Sequence, residues 1–530
     1  MASYHKACRD AENALQLKAD SEKARYRLSK ALYHLRSYQK ALDQLRPIAT
    51  SSDPNIKSLL QQLITCVAEN RYGEFDINKI ETESKENPRL AHSDYCTNLI
   101  ELRHSQIGGK SGRGIFAKKD IPLGTLLVAS KAIDCVFADE PETTRRFILT
   151  HTPEAPNYDL AGRLRLALTH RLHSMIVLNN YGRGILTLDG GILVGKTDIN
   201  LCQDDVYGEI ESVGDITPEA ITEIIDLNCF TISRHLEGRT VEGCALYYLP
   251  SFFNHSCMPN TVFETHGDMM FIRSGNFIPA GTEILTTYLK PAWNYSYQHR
   301  SNFLQRRRNP FVCNCPLCQF DETRADIVKP TFNITREMLA KYKSPEQQLS
   351  KIAITELKAA RLRIYKLFGF LLPENHLNDV QRLERVTSIS SDTPLQFVFA
   401  RSLNRILKML VSALYQQGER YEAMQFCAEA FAYMKGNLVV AEAPCEAINS
   451  TLTIWAYLRD HQNPSFCGPL ASYWFQEFKN ICTLVAGKRY FESKYSLLVK
   501  AVESRVADRI QGRDTRNQGE KEKLGGDVKS

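Results

Sequence analysis

Three thiols fall within six residues in Phe311-Val312-Cys313-Asn314-Cys315-Pro316-Leu317-Cys318, denser than fifteen cysteines spread over 530 residues would give by chance. A C-x-C-x-x-C run supplies three of the four sulfurs that tetrahedral zinc takes at about 2.3 Å. Cys257, in Ser251-Phe252-Phe253-Asn254-His255-Ser256-Cys257-Met258-Pro259-Asn260, is the natural fourth. A metal there would tie the chain after Tyr288 back onto Asn254-His255 and contribute to folding rather than to catalysis. A redox-active or incidental thiol group is the alternative reading. Asn254 and His255 follow two aromatics, a run rarely found as structural filler, and Gly281-Thr282-Glu283-Ile284-Leu285-Thr286-Thr287-Tyr288 reads as a turn leading into a strand that ends at a tyrosine. Gly112-Arg113-Gly114-Ile115-Phe116-Ala117 carries glycines that permit close backbone approach to a ligand. Taken alone it is as readily a plain hairpin, and Gly182-Arg183-Gly184-Ile185 repeats its first four residues elsewhere.

These segments need a β-rich scaffold. From about Leu99 the sequence consists of short β-branched and aromatic stretches separated by glycines, a pattern of strands and tight turns. Residues at about 140–225 are mixed and read as an insertion. Glu22 to Leu45 places Ala24, Ala31, Tyr38 and Ala41 in the rhythm of two short antiparallel helices and resembles a tetratricopeptide repeat; Ala7 precedes Ala41 by that repeat's period. An ordinary helical hairpin is the alternative. After about Pro330 a helical stripe returns at Leu403, Ile406, Leu407, Leu410 and Leu414, and Ala413, Gly418, Tyr421 and Ala423 fit the turn and helix contacts of a second repeat-like pair. Beyond Arg505 apolar residues nearly vanish, so residues 506–530 are expected to be disordered.

Hydrophobic residues at 43% and charged residues at 24% match a globular chain, and no stretch approaches the roughly 20 apolar residues of a membrane span. The first twenty residues lack the apolar core of a signal peptide, and the cysteines are too sparse for a disulfide scaffold. An intracellular protein is expected, in nucleus, cytoplasm or both, with no membrane association. The net charge of +6 is spread among alternating signs, so no direct nucleic-acid binding is expected. Arg306-Arg307-Arg308 reads as a solvated helix face, in preference to a patch for acidic partners or nucleic acid.

The order GRGIFA, NHSCMPN, GTEILTTY, CNCPLC resembles the SET domain with its post-SET zinc site, in the form found in the SET-and-MYND (SMYD-like) lysine methyltransferases, over about residues 98–320. Asn228-Cys229-Phe230-Thr231-Ile232 also matches a segment that precedes NHSC in these proteins. No paired-cysteine MYND finger occurs, since Cys135 and Cys202 stand alone; the helical flanks are similar instead to fungal-type proteins that join tetratricopeptide and SET regions. The resemblance implies an α+β fold: a tetratricopeptide-like region (1–70), a SET domain (98–290) with the insertion, a post-SET segment (291–325), a C-terminal helical region (331–505) and the tail. It implies an S-adenosyl-L-methionine-dependent protein-lysine N-methyltransferase acting on a histone or another protein, with the helices offering partner contacts.

By resemblance Tyr288 orients the reacting groups and touches the cofactor, Arg113 and Gly114 shape the cofactor cleft, and Asn254 and His255 hold the adenine and amino-acid end. Phe311 stacks over the cofactor, and Asn228, Ser251 and Phe253 are further cofactor contacts. The residues read as zinc ligands are Cys257, Cys313, Cys315 and Cys318. Methyl transfer to an amine is an in-line displacement, so the protein's task is alignment and exclusion of water. A lysine ammonium, with an ordinary pKa near 10.4, must first lose its proton, which an apolar channel favours. A catalytically silent scaffold and methylation of a non-protein amine are the competing readings.

Overall fold

The computed structural model describes residues 2–107, 112–139, 225, 228–236, 239–289, 296–307, 310–342, 350–370, 393–440, 445–460 and 464–495. All of the insertion but Ile225, with Cys202 and Gly182–Ile185, lies outside the described residues, as does the tail at 506–530.

The N-terminal part is a run of helices, α1 (Ala2–Leu17), α2 (Glu22–His34), α3 (Tyr38–Leu45), α4 (Pro54–Tyr72) and α5 (Ile77–Glu86). Local chemistry sets their ends. The Ser21 hydroxyl accepts the Ala24 N–H at the start of α2, Asp53 caps α4 ahead of a proline, and Gly73 closes α4 at φ 67°, each meeting backbone groups that a helix end leaves unpaired. Ala24, Ala31, Tyr38 and Ala41 are all buried, so the helix pair read from Glu22–Leu45 packs through the expected residues.

The β-rich middle holds β1 (Tyr95–Cys96), β2 (Ile100–Ser105), β3 (Gly112–Ala117), β4 (Leu126–Lys131), β5 (Asp134–Phe137), β6 (Cys229–Leu236), β7 (Arg239–Leu246), β8 (Asn254–His255), β9 (Thr261–His266), β10 (Met269–Ser274) and β11 (Glu283–Thr286). They form sheets of order β1-β4-β10-β9, β2-β3-β11-β8 and β5-β7-β6. Their shared core includes Ile115, Ile121, Leu127, Phe137, Tyr247, Phe253, Ile272 and Ile284. Burying such side chains contributes about 1.5–3 kcal/mol each.

The C-terminal helices are α6 (Tyr297–Gln305), α7 (Pro316–Thr323), α8 (Ala325–Tyr342), α9 (Lys351–Phe368), α10 (Pro394–Gln416), α11 (Arg420–Met434), α12 (Cys445–Asp460), α13 (Pro464–Ala486) and α14 (Lys488–Lys494). Leu403, Ile406, Leu407, Leu410 and Leu414 are buried along α10, and Gly418 turns at φ 80° into α11. Ala413 and Ala423 are buried, but Tyr421 is exposed on the outer face rather than at a helix contact. Pro330 lies inside α8; the Asp326 carbonyl it leaves without an N–H partner belongs to an exposed residue of the first turn, where water can replace the missing bond. This helical unit is seated on the β core where Leu438 N–H meets Gly275 O at 2.8 Å, and α14 reaches α5 through Lys494–Glu81 and the loop ahead of α5 through Arg489–Glu74. Among the described residues no helix is long and apolar enough to cross a membrane.

Candidate cofactor cleft and thiol centre

Strand β11 gathers the motifs. It pairs antiparallel with β3, matching Glu283 to Phe116 and Ile284 to Ile115, and parallel with β8, matching Leu285 to Asn254 and Thr286 to His255. Asn260 extends this pairing with its side chain, accepting Leu285 N–H at 2.7 Å and donating to Glu283 O at 2.9 Å. GRGIFA, NHSC-x-PN and the GTEILTTY strand, far apart in sequence, thus lie side by side.

Asn254 is held by both donors of its amide, one to Arg113 O at 2.9 Å and one to Glu283 Oε1 at 2.7 Å, while Glu283 Oε2 accepts Ser105 Oγ at 3.0 Å. A Cβ on Gly114 would fall 2.1 Å from Glu283 Oε1 and 2.8 Å from Asn254 Nδ2. A side chain at this position would have to push Glu283 or Asn254 aside. The Arg113 guanidinium lies over the Phe252 ring at 5.2 Å, and its Nη2 is buried with no hydrogen-bond partner among the described residues. Burial pulls its pKa below the usual arginine value, the signature of a desolvated cation without a counter-charge.

Tyr288 emerges two residues beyond β11. Its hydroxyl donates to Phe253 O at 3.2 Å and its N–H to His255 Nδ1 at 3.0 Å. The His255 ring centre lies 5.1 Å from that of Tyr288 and 5.9 Å from that of Phe311, and the Arg307 guanidinium sits 4.9 Å over the Tyr288 ring. Burial raises the phenol above its ordinary pKa, against the opposing pull of Arg307, so it stays protonated at neutral pH. Ser251 donates to Tyr247 O at 2.6 Å within the short 3-10 helix Leu249–Phe252. Asn228 is buried just ahead of β6, in the separate three-stranded sheet, whereas the other candidates converge on β8 and β11.

The sulfurs of Cys257, Cys313, Cys315 and Cys318 all lie within 4.8 Å of one another. A zinc ion bonded at about 2.3 Å to four sulfurs sets them about 3.8 Å apart, so this donor set can hold a tetrahedral metal ion. Cys315 caps α7 and Cys318 lies in its first turn; with no ion bound the four sulfurs share protons, which raises the Cys257 and Cys318 thiols. A hydrogen bond from Cys257 lowers the Cys315 thiol to about 6 and pulls the Cys313 thiol below its ordinary value as well. Around the sulfurs, His255 Nε2 lies 3.3 Å from Cys257 Sγ and Arg300 Nη2 3.8 Å from Cys318 Sγ. Burial works against the Arg300 charge, but Asp321, paired with it, and the Cys257 and Cys318 sulfurs keep it firmly protonated.

Sequence reasoning missed several of these residues. Glu283 and Asn260 stand inside quoted motifs, but their polar side chains carried no sign of which backbone groups they serve. Arg300 and Asp321, 21 positions apart on different helices, left no spacing signal, and Arg307, read as part of a solvated face, covers Tyr288 instead.

The model of the SET domain family matches residues 112–289. This chain carries a SET domain. The thiol centre takes Cys257 from within that domain and Cys313, Cys315 and Cys318 from just beyond its matched end. A "Methyltransferase" of Gibberella zeae is 27% identical over 324 residues, covering 58% of this chain and 43% of that protein. The "Protein-lysine N-trimethyltransferase SMYD5" of Gallus gallus is 37% identical over 79 residues, covering 14% of this chain and 19% of that protein. The chain thus spans less than half the length of these curated relatives. A solved SET domain of LSMT bound to lysine and AdoHcy aligns over 66% of this chain and 92% of that one, at 11% identity and a TM-score of 0.20.

Proposed function

We propose that the SET domain of this chain is an S-adenosyl-L-methionine-dependent protein-lysine N-methyltransferase. One observation carries the reading: Tyr288, a buried-side neutral phenol, is hydrogen-bonded to Phe253 O and His255 and flanked by Phe311, next to the strand pair that presents Arg113 and Gly114. The relatives named as a methyltransferase and a protein-lysine trimethyltransferase support the same class.

The unpaired Nη2 of Arg113 suits the carboxylate of the donor's amino-acid end, because a charge-assisted hydrogen bond would satisfy a buried cation. Phe311 offers a face for the adenine. Asn254 acts by holding Arg113 and Glu283 together, since both of its donors are spent on protein, and the His255 imidazole is likewise engaged on both nitrogens. Ser251 and Phe253, close to Tyr288, and Asn228, ahead of the three-stranded sheet, are further contacts proposed for the donor. The donor supplies an activated methyl group. Tyr288 aligns the incoming amine with it, and the apolar walls favour the neutral amine that can attack.

We assign zinc to the four thiolates, as the ion that takes four sulfurs at this spacing. The N-terminal and C-terminal helices, taken as repeat-like units, are the surface for partner proteins, and a histone or another protein is the substrate. Twelve cysteines among the described residues, the four of the thiol centre included, form no disulfide; nucleus or cytoplasm is the compartment proposed.

The test is incubation of the full chain, zinc-loaded, with labelled S-adenosyl-L-methionine and a mixed protein fraction, followed by mapping of modified lysines. Transfer that Tyr288→Phe lowers about 100-fold or more is the expected result. No transfer to any protein would favour a scaffold, and full transfer by Tyr288→Phe would remove the role given to the phenol.

A further inference from the structure

The His255 ring stands between two features that the function treats separately. Its Nδ1 accepts the Tyr288 N–H at 3.0 Å, and its Nε2 faces Cys257 Sγ at 3.3 Å, with the ring only 2% exposed. A ring nitrogen that accepts an amide N–H carries no proton, so the proton of the neutral imidazole resides on Nε2 and points at the sulfur. We infer that His255 is a positioning residue that couples occupation of the four-thiol centre to the placement of Tyr288. This rests on the methyltransferase reading for its consequence, not for its geometry.

The coupling follows from hydrogen-bond directions alone. A metal-bound Cys257 is a fixed thiolate, a good acceptor at one place, and donors to metal ligands in turn orient those ligands. With Nε2–H directed to that sulfur, Nδ1 must present its lone pair to Tyr288. The backbone of Tyr288 is then anchored at its N–H while its hydroxyl is anchored on Phe253 O. Once the metal leaves, Cys257 is free to turn, and the imidazole loses the partner that defines its tautomer. The proton can then sit on Nδ1, where it opposes the Tyr288 N–H donor to donor. The chain at 287–289 has no strand pairing to hold it, since β11 ends at Thr286. The phenol therefore loses its register to the cleft before the sheet itself is disturbed.

Two substitutions divide the ring into its halves. The His255→Gln amide can reach toward Cys257 but leaves Tyr288 N–H without its acceptor; His255→Asn keeps an oxygen near the Nδ1 place and loses the donor to sulfur. Amide hydrogen exchange at Tyr288 and release of zinc to a chromogenic chelator are read on the full chain, with the core amides of Val128 and Phe271 as a folding control. His255→Gln with zinc bound is expected to exchange at Tyr288 about fivefold faster than the unchanged protein, the worth of one hydrogen bond. His255→Asn is expected to keep slow exchange while giving up zinc about fivefold faster. Stripping zinc from the unchanged protein should raise exchange at Tyr288 and leave Val128 and Phe271 slow. Slow Tyr288 exchange in zinc-loaded His255→Gln, or in zinc-stripped unchanged protein, would overturn the coupling. If His255→Gln does not fold, the zinc release of His255→Asn decides: a rate equal to that of the unchanged protein overturns it. None of these readouts involves methyl transfer, so failure of lysine methylation and failure of this coupling are told apart.

Discussion

The tightest constraint on the cleft is the absence of one carbon. Gly114 faces a carboxylate and an amide whose partners are fixed by β2, β8 and β11, so a methyl group there must displace Glu283 or Asn254. Gly114→Ala is expected to cost about 1–3 kcal/mol of stability and to weaken cofactor binding, as read by thermal unfolding and by titration with S-adenosylhomocysteine; an alanine variant equal to the unchanged protein in both would show that the polar pair is free to give way. The thiol centre is equally exacting. Cys313→Ser should lose stoichiometric zinc, measured by elemental analysis, and several degrees of thermal midpoint. Zinc content unaffected by that change would exclude the four-sulfur site.

At the level of elements, the N-terminal helices are joined to the β core by a buried histidine. His92 lies between Glu69 of α4, 2.5 Å from Nδ1, and Glu83 of α5, 2.9 Å from Nε2, while Glu69 also accepts Ser93 N–H. Burial alone would favour the neutral ring, but Glu69 and then Glu83 outweigh it and raise the pKa. With a raised folded-state value, the stabilisation is complete below the unfolded-state value of about 6.5 and is lost as pH rises through the folded value. His92→Gln should therefore lower the midpoint of α4 and α5 unfolding most near pH 6 and progressively less at alkaline pH; a pH-independent difference would contradict this. On the other side, a Cβ at Gly275 would fall 2.4 Å from Val439 Cγ2. Gly275→Ala should loosen the C-terminal helices by about 1–3 kcal/mol, and adding Val439→Ala should restore much of that loss in a double-mutant cycle. Such joints were not legible in the sequence. The helix pair at Glu22–Leu45 and the stripe from Leu403 to Leu414 announce themselves by local periodicity, but His92, in the segment between α5 and β1, meets a partner 23 residues away on α4, and nothing in its spacing marks that meeting.

For the whole molecule, the SET core stands between two helical units that also touch each other through α5 and α14. The candidate cleft was legible because each motif is short, contiguous and rich in chemistry: three thiols in six positions, or Asn-His-Ser-Cys after two aromatics. What those motifs could not reveal is how polar side chains are shared among them. Asn254 serves Arg113 O and Glu283, His255 serves Tyr288 and Cys257, and Arg307 covers a phenol it does not adjoin in sequence. The central claim is that these converging segments form a cleft for S-adenosyl-L-methionine with Arg113 as the ligand of its carboxylate. Calorimetric titration of the zinc-loaded chain with S-adenosylhomocysteine tests it most directly. The account predicts one site per chain, weakened about tenfold or more by Arg113→Met; no saturable binding, or binding indifferent to Arg113→Met, would contradict it.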